Sequence, residues 1–242
     1  MKDAGELPSL KAWLQPTSSS NQVKTIGESL GSYLAHIHNQ TATDLTIKSA
    51  FNTNDTAKHI SSLVYYAQLP AAAAQHGHSE PFITAAAKAA EAEVLNSDEV
   101  WSLGDFWTGN VLVASTTGDD QSEPSLTVLD LELAKPGTAA FDIGQMAAEM
   151  LCLARFRCAE KGGLLLKSFL EAYKAERQGV VDVAGVAIRV GAHLVTMMPR
   201  AWKEEAGEDG VRKGVEEGVE LIRMGWDKDE EALRRSAVGR LA

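Results

Sequence analysis

The sequence predicts an α+β fold that is mainly helical and contains one small β-hairpin. Three observations support this prediction. The longest patterned stretches of the 242-residue chain have apolar residues that recur every three or four positions, as on one face of an α-helix. A few short segments have the composition of strands, and a polar, turn-prone stretch separates two of them. Hydrophobic residues make up 45% of the chain, which is enough to form a substantial core.

The predicted helices follow one another along the chain. The first extends from Val23 to Asn39, where Ile26, Leu30 and Leu34 share one face. The others are predicted at His59 to Leu69, Phe82 to Asn96, Asp142 to Phe156, Leu164 to Tyr173 and Val181 to Met198. Turn-forming residues predict a linker at Pro16 to Asn21 and a loose loop at Pro70 to Pro81.

The sequence after residue 200 has a different character, because it is acidic and interrupted by glycines. Val211 to Met224 predicts a marginal helix, since each glycine inside a helix costs about 1 kcal/mol relative to alanine. The run from Asp227 to Ala242 is expected to be exposed. We therefore divide the chain into a starting segment and linker (1–22), a main domain (23–200) and an acidic helical tail (201–242).

Three strands are predicted, at Glu99 to Trp101, Val111 to Val113 and Leu126 to Leu129. The last two form a hairpin that brings Asp130 back beside Asn110. Their side chains would then offer two oxygen ligands to a hard cation such as Mg²⁺. Glu132 lies two residues beyond Asp130, and the alternation of a strand end points it the same way.

Asp105 lies five residues before Asn110, in a loop that leads into the hairpin. Kinases use an Asp to accept the proton of the attacking hydroxyl, an Asn five positions later to hold Mg²⁺, and a further Asp for the metal that bridges the phosphates. Asp, Gly, Thr and Asn are also common in turns, so a surface turn without chemistry remains an alternative.

These segments resemble the aminoglycoside phosphotransferase and choline kinase-like family. Leu103 to Val113 is similar to its catalytic loop, usually His-Gly-Asp followed by Gly-Asn-Val/Ile-Leu. Leu129 to Ala134 and Phe141 to Gly144 are similar to its metal-binding Asp-x-Glu segment and the start of the next helix. Ile26 to His38 resembles the first long helix of the family's C-terminal lobe, and Met1 to Gly5 resembles the hinge strand before it.

The resemblance implies a protein kinase-like C-terminal lobe in which the small hairpin carries the catalytic loop and the metal-binding Asp. It implies that Asp105 is the catalytic base, that Asn110 and Asp130 hold Mg²⁺, and that Glu132 assists them. Asp142 would brace the catalytic loop by accepting backbone hydrogen bonds. The phosphoryl donor would be ATP, and the acceptor a hydroxyl of an aminoglycoside-, choline- or sugar-like small molecule.

Two departures from the family pattern keep a second hypothesis open. Leu103 replaces the family's His, and an imidazole's hydrogen bonds are lost with it. No phosphate-covering lobe precedes the hinge-like Met1, and no Gly-rich phosphate motif occurs in the chain. The alternative is therefore a catalytically inactive derivative that lacks the N-terminal lobe and acts as a binding or regulatory module. This form predicts a dimer or a protein partner over the uncovered cleft.

Charge and composition exclude several other classes. A net charge of −10 argues against nucleic acid or an anionic membrane as the principal partner, because both require clustered Lys and Arg. Two cysteines, Cys152 and Cys158, do not make a disulfide framework, and free thiols fit a cytoplasmic protein. His193 lies in an apolar stretch and is expected to be a hydrogen-bonded core residue rather than a catalytic one.

Overall fold

Helices account for most of the structure. The computed structural model describes residues 6–44, 46, 54–114 and 124–242. Its helices are α1 Leu10–Trp13, α2 Ser20–Thr43, α3 Asp55–Ser61, α4 Leu69–Gln75, α5 Pro81–Asn96, α6 Ala139–Phe156, α7 Ala159–Glu176, α8 Val183–Thr196, α9 Met198–Ala201, α10 Lys203–Asp227 and α11 Glu230–Arg235. A π-helix, Ser62–Ala67, lies between α3 and α4, and 3-10 turns occupy Leu131–Leu133 and Gly239–Leu241. The predicted α+β, mainly helical class is confirmed.

Four short strands form two antiparallel pairs. Strand β2 (Val111–Ala114) pairs with β3 (Ser125–Val128), which is the predicted hairpin, with Val111 opposite Val128. Strand β1 (Val100–Ser102) pairs with β4 (Lys135–Gly137). Sequence reasoning missed β4 because three residues, one of them a proline, carry no alternation signal. The two pairs flank the loop of residues 103–110, so each end of this loop is attached to a sheet.

Helix α6 is the centre of the core. Every residue from Ala139 to Ala154 is buried, which is expected for a helix that is apolar on all sides. It packs against α7 and α8, while α2 packs on α7 and α10 on α8. Three polar residues of α6, Asp142, Gln145 and Glu149, are nevertheless buried within this core.

The C-terminal region is more firmly attached than the sequence predicted. Helix α10 is long, although Gly207 at φ 63° introduces a kink near its start. Its Gly218 lies against Gly191 of α8, where a Cβ on either residue would meet the backbone of the other helix. These glycines therefore serve close helix packing rather than only weakening a helix. The expectation of an exposed end is wrong, because Leu233 and Leu241 are each only 3% exposed.

The N-terminal segment also has a definite structure. Ser9 forms a β-bridge with Leu112, and the Val113 N–H donates to the Pro8 carbonyl at 3.0 Å. Helix α1 lies just before the region predicted to be a linker, and α4 occupies most of the first half of the predicted loop at residues 70–81. The hinge-like residues 1–5 and the hairpin loop at 115–123 lie outside the described residues. Among the described helices, none is both long and apolar enough to span a bilayer.

Candidate active site

Asp105 lies in the loop between β1 and β2, and both of its carboxylate oxygens accept a hydrogen bond from an amide. Asn110 Nδ2 donates to Oδ2 at 2.8 Å, and Gln145 Nε2 donates to Oδ1 at 3.0 Å. Burial raises the pKa of Asp105, as does the nearby charge of Asp130, and the hydrogen bonds from Asn110 and Gln145 only partly offset this increase. Asp105 is therefore a partly buried carboxylate with a fixed orientation.

Asp142, in the first turn of α6, holds the beginning of the same loop. It is fully buried and accepts hydrogen bonds from the Leu103 N–H at 2.8 Å, the Gly104 N–H at 3.0 Å and the Ser102 hydroxyl at 2.8 Å. His38 Nε2 donates to its Oδ2 at 3.1 Å. Burial alone would raise its pKa, but His38 and the Leu103 N–H outweigh burial, and the pKa lies below the usual range.

The contacts of Asp142 explain two features of the sequence. Leu103 replaces the family's His, yet its backbone N–H makes the bracing bond and its side chain joins the core. His38, at the end of the long α2 segment, supplies an imidazole to the same carboxylate. Gly104 has φ 83°, and a Cβ there would collide with the Leu133 carbonyl, so this position favours glycine for two reasons.

Two further residues of α6 hold the rest of the loop, and sequence reasoning missed both. Gln145 Oε1 accepts from the Phe106 N–H at 2.9 Å. Glu149 accepts from the Thr108 hydroxyl at 3.3 Å and from His193 Nε2 at 2.9 Å. Asp142, Gln145 and Glu149 are spaced by three and four residues, which places them on one helix face. Polar residues at that spacing in an otherwise apolar helix were the available signal.

His193 has the core position that the sequence predicted. It is 4% exposed, and its Nε2 donates to Glu149, which also accepts from Trp202 Nε1 at 3.1 Å. Its ring stacks on Tyr65, with 5.9 Å between centroids. Burial raises the pKa of Glu149, but His193, Trp202 and Lys11 together lower it more, so the pKa lies below the usual range. His193 therefore acts on the loop through Glu149, which accepts the hydrogen bond of Thr108.

The candidate metal ligands lie at the opposite end of the loop. The Leu129 N–H donates to the Asn110 carbonyl at 2.8 Å, so the hairpin brings Asp130 to the same strand end as Asn110. Asn110 Nδ2 donates to the Asp105 carbonyl and to Asp105 Oδ2, so the acceptor of its side-chain amide is Oδ1. Asp130 is exposed and has a left-handed backbone with φ 62°. Glu132 lies two residues beyond Asp130, in an exposed 3-10 turn.

This donor set has the chemistry that Mg²⁺ prefers, because carboxylate and amide oxygens are hard ligands. No group of three or more His, Cys, Asp and Glu converges as metal ligands in the ranges that the structure describes. Asn54 restrains the backbone of residues 132–134. Its Nδ2 donates to the Glu132 carbonyl at 3.0 Å and to the Ala134 carbonyl at 2.9 Å. The structure therefore brings Asn110 and Asp130 to the same strand end, and Glu132 follows Asp130 by two residues.

Lys135 is another residue that the sequence did not reveal. Its side chain is 1% exposed, with Nζ 3.4 Å from the Leu133 carbonyl and 4.4 Å from the centroid of the Phe141 ring. Burial lowers its pKa to about 8, although the charges of Asp142 and Asp105 oppose this decrease. A buried cation thus lies beside the start of the loop.

The fold and the site together define a protein kinase-like lobe of the phosphotransferase class. The family model described as "Phosphotransferase enzyme family" (APH) matches residues 5–182, and the chain belongs to this family. It is 26% identical over 222 residues to a 4-hydroxytryptamine kinase of Psilocybe cubensis and 27% identical over 225 residues to one of Psilocybe cyanescens. Each match covers 89% of this chain and 61% of the relative, so the chain spans less than two thirds of the length of these proteins.

Proposed function

We propose that this chain carries the acceptor and metal side of an enzyme that transfers the γ-phosphoryl group of ATP to a hydroxyl of a small molecule. The observation that carries the proposal is the position of Asp105, a carboxylate held by two amides next to the strand end that presents Asn110 and Asp130. Membership of the phosphotransferase family supports it.

Asp105 has the capacity to act as the general base. An ionised carboxylate offers about four lone-pair positions, and the amides of Asn110 and Gln145 each occupy one. A remaining lone pair accepts the hydrogen bond of the acceptor hydroxyl and then its proton, as the hydroxyl oxygen attacks phosphorus. The amide contacts fix the carboxylate before the acceptor arrives, which reduces the cost of orienting it.

Asn110 Oδ1 and Asp130 would hold Mg²⁺, with Glu132 assisting. When bound, the ion neutralises the charge that develops on the phosphates. Among the described residues, Asp130 is suited to this role because it is exposed and near Asp105, whose pKa its charge raises. The left-handed backbone of Asp130 turns the chain from β3 into the 3-10 turn that contains Glu132.

We further propose that the acceptor is a hydroxylated amine. The names of the two curated relatives describe kinases of 4-hydroxytryptamine, which carries an aromatic hydroxyl and an amine. The net charge of −10 also favours a cationic acceptor over an anionic one. Aminoglycosides and choline share the combination of hydroxyl and cationic nitrogen, whereas a neutral sugar lacks the cation.

A binding or regulatory module is the second candidate, and one observation favours it. Leu129 and Leu131, on either side of Asp130, are 39% and 48% exposed, an unusual position for large apolar side chains beside a charged site. A covering lobe or a partner protein would bury them. A module needs such a contact surface for its partner, and turnover is the property that separates the two candidates.

The deciding experiment incubates the full natural polypeptide that carries this sequence with Mg-ATP and four acceptors, namely 4-hydroxytryptamine, choline, an aminoglycoside and glucose. Phosphorylated product is measured by mass spectrometry, with Asp105→Asn as the matched control. Product from an amine-bearing acceptor with the wild-type protein alone supports the enzyme. No product from any of the four, with a folded protein, favours the module.

A further inference from the structure

Gln145 makes three hydrogen bonds, each to a different part of the candidate site. Its Oε1 accepts from the Phe106 N–H at 2.9 Å, and its Nε2 donates to Asp105 Oδ1 at 3.0 Å and to the Tyr65 hydroxyl at 2.7 Å. The residue is 4% exposed and lies on the central helix α6. All three partners lie outside that helix.

The partners leave no freedom in the orientation of the amide. The oxygen and nitrogen of a Gln side chain are assigned from their neighbours, and here one neighbour is a backbone N–H, which can only donate. Oε1 must therefore face Phe106. Nε2 then faces Asp105 and Tyr65, so both of its hydrogens have an acceptor.

We propose that Gln145 is the positioning residue for Asp105, acting through the Nε2 hydrogen bond that fixes the carboxylate plane. Asn110 binds one carboxylate oxygen from the metal side, and Gln145 binds the other from the core. Two donors on opposite oxygens hold the side chain against rotation about its terminal bond, which is otherwise broad and weakly restrained. The inference rests on the proposed function, in which Asp105 is the base.

The isosteric variant Gln145→Glu separates this role from a purely structural one. A Glu keeps the size and the acceptor for the Phe106 N–H, but it replaces the donor to Asp105 with an oxygen. If Gln145 only anchored the loop backbone, Gln145→Met, which loses the contact with the Phe106 N–H, would be the more damaging change, and Gln145→Glu, which keeps it, would be the milder one. If the donor matters, both variants lose activity.

The experiment measures kcat and KM in the full natural polypeptide with its best acceptor. The expected result is a fall in kcat of about 10²-fold for Gln145→Glu and about tenfold for Gln145→Met, with the KM for ATP within about twofold of wild type. Gln22→Glu, in the first turn of α2, controls for the change in the net charge of the protein. Wild-type kcat in a folded Gln145→Glu protein would overturn the proposal.

A second measurement does not depend on turnover. The side-chain amide signals of Gln145 are recorded by NMR in the wild type and in Asp105→Ala, and the expected result is a shift of the donated proton when its acceptor is removed. An unmoved signal overturns the inference even if the protein is active. A moved signal in a protein that phosphorylates no acceptor supports the contact and shows that the proposed function has failed instead.

Discussion

Asp105 and Asp130 are candidates for one reaction, but the fold treats them in opposite ways. Asp105 is partly buried, and amides from Asn110 and Gln145 bind its two oxygens. Asp130 is exposed, lies at a left-handed turn, and is followed by an exposed 3-10 turn. The first carboxylate has its orientation set by the core, whereas the second is left open to ligands.

This difference indicates where each function is encoded. The proposed base side depends on helix α6, whose Asp142, Gln145 and Glu149 hold successive parts of the loop. The metal side depends on the register of one hairpin. Changes on the base side should therefore affect both stability and chemistry, while changes on the metal side should affect chemistry alone.

Replacing the base is expected to have the largest effect. Asp105→Asn removes the proton acceptor while keeping the size of the side chain, so kcat should fall by about 10³-fold or more. The thermal unfolding midpoint should fall as well, because the new amide nitrogen would face one of the two donors, Asn110 or Gln145. Steady-state kinetics and a melting curve test both statements, with the exposed Asp227→Asn as control. Unchanged turnover would remove Asp105 from the mechanism.

Replacing Asp142, which accepts the backbone hydrogen bonds of the loop, is expected to destabilise the fold itself. Asp142→Asn breaks a buried pair with His38 and leaves a donor facing other donors, which should lower the free energy of unfolding by about 3–5 kcal/mol. Because the folded pKa of Asp142 is depressed, its contribution is complete above the unfolded pKa and is lost as pH falls through the folded pKa.

Urea unfolding between pH 7 and pH 3 measures this contribution. The wild-type and Asp142→Asn curves should be far apart at pH 7 and approach each other at the acid end. The exposed Asp98→Asn serves as control. Parallel curves over the whole range would mean that Asp142 does not titrate as the structure implies.

Lys135 gives a smaller effect with the same sign of pH dependence, but in the alkaline range, because protonation of either buried group destabilises the folded protein. Its folded pKa of about 8 lies below the unfolded value near 10.4, so between these values the unfolded chain holds a proton that the folded chain does not. Stability should therefore rise with pH across this window, by about 1–3 kcal/mol relative to Lys135→Met. Urea unfolding of both proteins at pH 7, 8, 9 and 10 tests it. A constant difference would show that Lys135 is not perturbed.

The smallest effect is expected on the metal side. Asp130→Asn keeps one oxygen ligand and tolerates the left-handed backbone, but it loses a charge. About tenfold more Mg²⁺ should be needed for half-maximal activity, with the melting temperature unchanged. A Mg²⁺ titration of turnover measures this, and Glu231→Gln on the surface of α11 is the control. Equal loss of stability in Asp130→Asn and Asp142→Asn would contradict the comparison.

The sequence predicted the hairpin and the loop well, because these depend on local signals. Asp105, Asn110 and Asp130 have a fixed spacing in the chain, and turn residues mark the boundaries of the strands. Four of the predicted helices are present with longer ends, whereas His59 to Leu69 is divided between α3, the π-helix and α4, and the helix predicted at Val181 to Met198 is shorter, at Val183–Thr196. The order of these elements was enough to bring Asn110 and Asp130 to one strand end.

The contacts behind the loop could not be predicted, because they join residues that are distant in sequence. Gln145 meets Tyr65 across 80 residues, and Glu149 meets Trp202 across 53. Nothing near Gln145 in the chain states that its amide would face a carboxylate. The glycines of α10 misled the interpretation for a related reason, since Gly218 is useful only where Gly191 of another helix approaches it.

The π-helix at Ser62–Ala67 restricts the lengths that this part of the chain can have. A π-turn holds one residue more than an α-turn, so deleting a single residue there would restore regular α-helix and change which of its side chains face the core. Tyr65 would then no longer point at Gln145. Insertions and deletions between α3 and α4 should therefore be excluded in active relatives, whatever substitutions they accept.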